Sequence, residues 1–196
     1  DGEVKGLSVV KPLVGVNSDV PSDATVMRVE YASAQGVVLA EGINPFVSDL
    51  DTYAMAAGVV DEGVRRIISV GGRLDHIAGL DNFCWPDPVA SARTPDGPYK
   101  LAQLVRANQA LYDLCTGFGV PLISGKDSMK NDSVRGGRKI SIPPTLLFST
   151  LGVIDDVRQA VTMPFKQAGD FIYVIGLTRD ELGALPKIIP SPMAST

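Results

Sequence analysis

Only two stretches of this 196-residue chain carry apolar residues at helical spacing, and they stand among roughly six β-like runs. In residues 51–70, Ala54, Ala57, Gly58, Val64, Ile67 and Ile68 recur at three- and four-residue steps. Asp51 or Asp49 can cap the start, and Gly71-Gly72 stops it. In residues 99–118, Leu101, Leu104, Val105, Leu111, Tyr112, Leu114 and Cys115 form an apolar stripe that Gly117 and Gly119 close. Two helices cover one face of such a sheet and leave the other to solvent, a partner domain or a second copy. The expected fold is α+β: a mostly antiparallel sheet with two main helices on one face.

The β-like runs are residues 6–14 with Pro12 at the edge, 24–31, 36–43, 76–83, 120–123 and 139–154, the last interrupted by Pro143 and Pro144. The small residues of the first helix predict close packing against the sheet. Residues 131–138, with Gly136-Gly137, read as a mobile loop. Residues 1–156 are expected to form one subdomain. Residues 157–183 read as a linker and the first strand, at 171–175, of a further subdomain. The Pro-rich stretch 184–196 reads as a disordered tail or an appended junction. The start at Asp1 rather than Met gives the expectation of a piece cut from a longer protein.

Composition removes several function classes. With 45% hydrophobic and 20% charged residues the chain is an ordinary globular one, and its net charge of −4 argues against nucleic acid as a partner. No apolar run approaches the roughly 18 residues of a membrane span, and no signal peptide is visible, so a cytoplasmic protein is expected. Cys84, Cys115 and the single His76 lack metal-ligand spacing; the cysteines read as reduced core residues and His76 as structural or exposed. Ser124 and Ser128 have no candidate base, which disfavours covalent catalysis.

The informative stretch is Leu122-Ile-Ser-Gly-Lys-Asp-Ser-Met-Lys-Asn-Asp132. Val120-Pro-Leu-Ile123 reads as a buried strand that ends in a small polar loop. Such a loop either sets backbone N–H groups and a cation beside a phosphate or is a turn with solvated charges. It is not a Walker A loop. Asp23, just before a strand, and Glu62, on the first helix, would suit Mg²⁺ bridging nucleotide phosphates. Glu62 also stands one turn before Arg66, the spacing of a surface ion pair.

Five blocks occur in register: Pro21-Ser-Asp-Ala-Thr-Val26, Gly42-Ile-Asn-Pro45, Leu80-Asp-Asn-Phe-Cys-Trp-Pro-Asp-Pro88, Ile123-Ser-Gly-Lys-Asp-Ser-Met129 and Gln167-Ala-Gly-Asp-Phe-Ile-Tyr-Val-Ile-Gly176. Together they resemble phosphoribosylformylglycinamidine synthase, the ATP-dependent amidotransferase of purine biosynthesis, in the N-terminal ATP-binding subdomain of its second repeat. The resemblance implies an aminoimidazole ribonucleotide synthetase-like fold that pairs through its uncovered face into a barrel, with the other synthetase repeat or a second copy. It implies ATP or ADP and Mg²⁺ as cofactors, a glutaminase component as partner and formylglycinamide ribonucleotide as the small-molecule substrate.

By the same resemblance Asp23 and Glu62 are metal-binding positions, and Gly125 and Ser128 touch nucleotide or substrate. Lys126 stands where relatives carry a metal-binding asparagine and takes a phosphate-contacting role. Asp81 or Asn82 lies at the adenine-contacting position. Arg66 departs from the family's asparagine and competes for Glu62. The family's catalytic histidine, first-repeat carboxylates and glutaminase triad are absent, so no catalytic residue is assigned and the chain alone is expected to be inactive. The alternatives are a structural pairing module with a decayed nucleotide site, or another ATP-dependent synthetase or kinase of the superfamily.

Overall fold

A computed structural model of the chain describes residues 6–177. Ten strands and two helices follow in order. They are β1 (Ser8–Val10), β2 (Leu13–Val14), β3 (Val20–Pro21), β4 (Thr25–Arg28), β5 (Gly36–Ile43), α1 (Thr52–Ser69) and β6 (Ile77–Cys84), then α2 (Gly97–Phe118), β7 (Leu122–Ser128), β8 (Asp132–Arg135), β9 (Arg138–Ser141) and β10 (Thr145–Ile154). Six of them make the main sheet, in the order β1-β4-β5-β10-β6-β7; β2-β3 and β8-β9 are separate hairpin pairs. Every pairing in the main sheet is antiparallel except β6–β7.

Alternation along β10 separates two faces. Leu146, Phe148, Thr150, Gly152 and Ile154 are buried beneath the helices, and the residues between them are half-exposed. Helix α1 lies on β5 and β10, and α2 packs beside α1. Glycines on both the sheet and α1 permit this closeness: a Cβ at Gly42 of β5 would overlap the Val59 carbonyl oxygen, and one at Gly63 of α1 would lie 3.0 Å from Thr150 Cγ2. Asp51 caps α1 by accepting the Tyr53 N–H at 2.8 Å. Gly119, at φ 70°, ends α2 in the left-handed conformation that glycine tolerates best.

The opposite sheet face carries Val37, Leu39 and Ile43 of β5 with Leu147, Leu151 and Val153 of β10, all half-buried or exposed. The expected uncovered apolar face is therefore present. The sheet itself is open among the described residues and does not close into a barrel within one chain.

Four expectations are corrected. The polar stretch after Ile123 is not a loop: β7 runs through Ser128 as an edge strand, and Leu122 and Ile123 are exposed rather than buried. The stretch 131–138, expected as a mobile loop, instead leads into and forms most of the β8–β9 hairpin from Asp132 onward, turning at Gly136 and Gly137 with φ of 56° and 76°. Helix α2 buries Ala107, Ala110, Leu111, Leu114 and Cys115, while Leu101, Val105 and Tyr112 of the expected stripe point outward. Residues 171–175 form no strand here; Phe171, Ile172, Tyr173, Val174 and Ile175 are exposed and unpaired by any ladder. The expected tail at 184–196 lies outside the described residues. No helix among the described residues is long and apolar enough to cross a membrane.

Candidate nucleotide-facing site

The parallel pair β6–β7 positions most of the predicted site residues. Asp81 stands opposite Gly125, Asn82 opposite Lys126, Phe83 opposite Asp127 and Cys84 opposite Ser128. Side chains alternate along each strand, so these partners divide between two faces. Asn82, Lys126 and Ser128 share the uncovered face. Asp81 and Gly125 share the helix-covered face, where a Cβ on Gly125 would lie 2.7 Å from Asp81 Oδ1. The sequence left Asp81 and Asn82 as alternatives; the register puts Asn82 with Lys126 and Ser128, and Asp81 on the opposite side.

Burial, with a smaller push from Asp127, raises the Asp81 pKa. Burial and the Asp81 charge push the nearby Cys115 thiol up to about 11, so it stays protonated and unreactive at neutral pH. Cys84 is half-buried and also free. His76 is exposed at the end of a 3-10 turn, its Nδ1 3.2 Å from Asp75 Oδ1.

The end of β7 is tied down by a residue that sequence reasoning missed. Asn131 donates through Nδ2 to the Ser128 carbonyl at 2.6 Å and to the Trp85 carbonyl at 3.2 Å, while the Trp85 N–H reaches the Ser128 carbonyl at 2.8 Å. Trp85 is fully buried and its indole N–H donates to the Lys100 carbonyl at 3.0 Å. Between Ser128 and Asn131, Lys130 holds a left-handed φ of 63°, which costs free energy in a non-glycine residue. The only trace of this clamp in the sequence is an Asn beside a polar turn.

The acidic residues gather elsewhere. Strand β4 ends its pairing at Thr25 opposite Leu39, which leaves the rest of β5 without a neighbour on that side. A cavity of about 520 Å³ fills this notch, lined by Ser22, Asp23, Glu41, Arg66, Leu80 and Ser149 among others. Glu62 flanks it but is already engaged: Arg66 Nη2 lies 2.7 Å from Oε1, and the Ile43 N–H donates to Oε2 at 3.3 Å. Glu41 is a lining carboxylate that the sequence did not single out. Among the described residues no group of three or more acidic, His or Cys side chains converges as a metal cage. Asp23 and Glu41 line the notch together with Arg66, while Glu62 beside it is held by Arg66 and the Ile43 N–H.

No protein-family model matches the chain. It is 33% identical to the PurL subunit of phosphoribosylformylglycinamidine synthase from Thermoplasma acidophilum over 183 residues, 93% of this chain and 22% of that protein. Among solved structures it is similar to PurLQS from Thermotoga maritima, with TM-score 0.61, 28% identity and coverage of 82% of this chain and 23% of that one. T. maritima PurL complexed with FGAR matches with TM-score 0.58 and 28% identity over 78% of this chain and 21% of that one. The chain thus spans about a fifth of the length of the curated relatives it matches. Over nine-tenths of its own length, this chain is a homologue of one segment of the PurL subunit of phosphoribosylformylglycinamidine synthase.

Proposed function

We propose that the chain supplies the second-repeat, ATP-binding subdomain of an ATP-dependent C–N ligase of the PurL type. The whole enzyme would convert formylglycinamide ribonucleotide to formylglycinamidine ribonucleotide with ammonia derived from glutamine. ATP phosphorylates the amide oxygen, and ammonia then displaces phosphate. That chemistry asks the protein chiefly for positioning and for neutralisation of crowded phosphate charge. The observation that carries this reading is the match along 93% of the chain to a PurL subunit. The nucleotide complexes of T. maritima PurL support the cofactor assignment.

Within that reading, Asn82, Lys126 and Ser128 face nucleotide or substrate from the uncovered side of the sheet, with Lys126 as the phosphate-contacting cation. Gly125 keeps β7 close to β6, and Asp81 acts from the far face. Asp23 and Glu62 are the metal positions, with Glu62 available only when Arg66 swings away. The uncovered face of Leu39, Leu147, Leu151 and Val153 pairs with the other synthetase repeat or a second copy, and a glutaminase component delivers ammonia. Residues 157–183 lead into the next subdomain, in keeping with the exposed apolar run at Phe171, Ile172, Tyr173, Val174 and Ile175.

The Glu62–Arg66 pair at 2.7 Å favours a second reading, a pairing module whose nucleotide site has decayed. Calorimetry with Mg-ADP separates the two. Micromolar binding that disappears in Asp23→Ala supports a live site. Absence of heat at millimolar nucleotide leaves the scaffold role.

A further inference from the structure

Within its strands, the uncovered sheet face carries two charged side chains, Glu41 on β5 and Lys126 on β7. Both are exposed, and neither side chain forms an ion pair or hydrogen bond among the described residues.

Register fixes where they stand. Glu41 lies opposite Ser149, Ser149 opposite Leu80 and Leu80 opposite Ser124, so one row of this face crosses four strands. Lys126 lies one row further along, in line with Asn82, Leu147 and Ile43. The sheet order makes β5 and β7 the flanks of a central pair, β10 and β6. The flanks are three strand spacings apart, about 14 Å, too far for an ion pair within one chain.

Between the two charges the face is apolar. It carries Leu147 and Leu151 of β10 and Leu80 of β6, with Leu39 and Ile43 on either side of Glu41 along β5. Covering this surface takes the Glu41 carboxylate out of water, and a desolvated carboxylate needs a cation beside it. The chain supplies that cation at the opposite flank. A twofold axis running along the strands between β10 and β6 lays β5 of one copy over β7 of the other. Each Glu41 then meets Lys126 of the second copy, and the contact is made twice. Face-to-face sheets lie about 10 Å apart and the row offset adds about 7 Å along the strand, a gap that glutamate and lysine side chains span together. The four strands and the eight residues of β5 outline a patch of about 19 Å by 26 Å. Pairing would cover about 1,000 Å² in total, the lower bound for a specific interface.

We propose that this face binds a second copy of the chain, with reciprocal Glu41–Lys126 ion pairs setting the orientation. Glu41 also lines the Asp23 notch, so pairing brings a lysine of the second copy to each notch, whose cation within one chain is Arg66, held by Glu62. The groups that one chain keeps at two flanks of its sheet meet across the pair. The inference rests on the uncovered face being a pairing surface; the ligase assignment does not depend on it.

The test is sedimentation equilibrium of the 196-residue chain at tens of micromolar, alongside Glu41→Lys, Lys126→Glu, their equimolar mixture and the double substitution. The unsubstituted chain should dimerise, less tightly at high salt. Each single substitution sets like charges together twice and should weaken dimerisation at least tenfold. The mixture should pair as a heterodimer and the double substitution should restore the homodimer, because both arrangements recreate two opposite-charge contacts. Both positions are exposed in the single chain, so unfolding midpoints should barely move and the comparison reads association alone. A monomeric unsubstituted chain, or single substitutions without effect, would overturn the proposal. So would losses that neither mixing nor the double substitution repairs. Mg-ADP calorimetry on the same proteins tests the ligase reading separately, and nucleotide binding by a strictly monomeric chain would sink the pairing alone.

Discussion

Asp81 and Gly125 face each other across the one parallel pair of the main sheet, and a methyl group on Gly125 would sit 2.7 Å from Asp81 Oδ1. The glycine is what lets a half-buried carboxylate occupy that position beside an edge strand. Gly125→Ala should therefore destabilise the fold modestly, by about 1 kcal/mol, because the offended atom is the end of a side chain that can turn away. A double-mutant cycle in chemical denaturation checks the cause. Much of the loss should vanish in an Asp81→Ala background, and strict additivity would show that the two residues do not clash.

The same carboxylate makes a pH signature. Burial raises the folded-state pKa of Asp81, so between its unfolded and folded values the native chain holds more protons than the unfolded one. Stability from this group therefore falls as pH rises through that window and stays lowered above it. Asp81→Asn should raise stability at pH 7 by a fraction of a kcal/mol, with the gain shrinking as pH falls below the folded pKa. Thermal unfolding of the two proteins across an acid pH series reads this directly. A gain that grows toward low pH would contradict it.

Why the site was only partly legible follows from what each element buries. Both helices and strands β5, β6 and β10 announce themselves because a buried face must repeat at 3.6 or 2 residues. Strand β7 has no such face: Ser124, Gly125, Lys126 and Asp127 are exposed at the sheet edge, so no apolar alternation marks them. The β8–β9 hairpin was marked by Gly136-Gly137, a pair suited to a tight hairpin turn, but Val134 and Ile140 stay exposed and lend no core signal. The face of α2 was misjudged because Ala107 and Ala110, small and unremarkable in sequence, are what fit beneath α1. The clamp of Asn131 on Trp85 and Ser128 and the notch beside Glu41 depend on long-range pairing, which local pattern does not carry.

Gly42 provides a sharper packing test than Gly125. There the opposing atom is a backbone carbonyl of α1, at Val59, and only a shift of the whole helix makes room. Gly42→Ala should cost about 3 kcal/mol or more and lower the midpoint of denaturant unfolding accordingly. A loss under about 1 kcal/mol would mean that α1 does not lie so close to β5.

If the notch holds Mg-nucleotide as proposed, Arg66 should govern how well it does so. Its pair with Glu62 is partly exposed, and such pairs contribute roughly 0–1 kcal/mol, so Arg66→Asn should leave stability almost unchanged. It should, however, release Glu62 to act with Asp23 and so tighten Mg-ADP binding relative to the unsubstituted chain. Calorimetry in the presence and absence of Mg²⁺ checks this, with Asp23→Ala as the control that abolishes the gain. Weaker binding after the substitution would instead make the guanidinium itself a phosphate contact.

The uncovered face should make the chain self-associate when no other repeat is present. Leu39 is 46% exposed, with half-buried Val37, Leu147, Leu151 and Val153 on the same side of the sheet. A contiguous apolar surface of this kind on a soluble chain is normally covered. Because Leu39 contributes little to the folded core, Leu39→Lys should change unfolding stability by no more than about 0.5 kcal/mol. A lysine at the centre of a pairing face would have to be desolvated, so the same change should shift the chain toward monomer. Sedimentation at tens of micromolar reads both outcomes: self-association of the unsubstituted chain, and a lower average mass for Leu39→Lys. A chain that is strictly monomeric before substitution would show that its apolar face needs no partner to stay in solution.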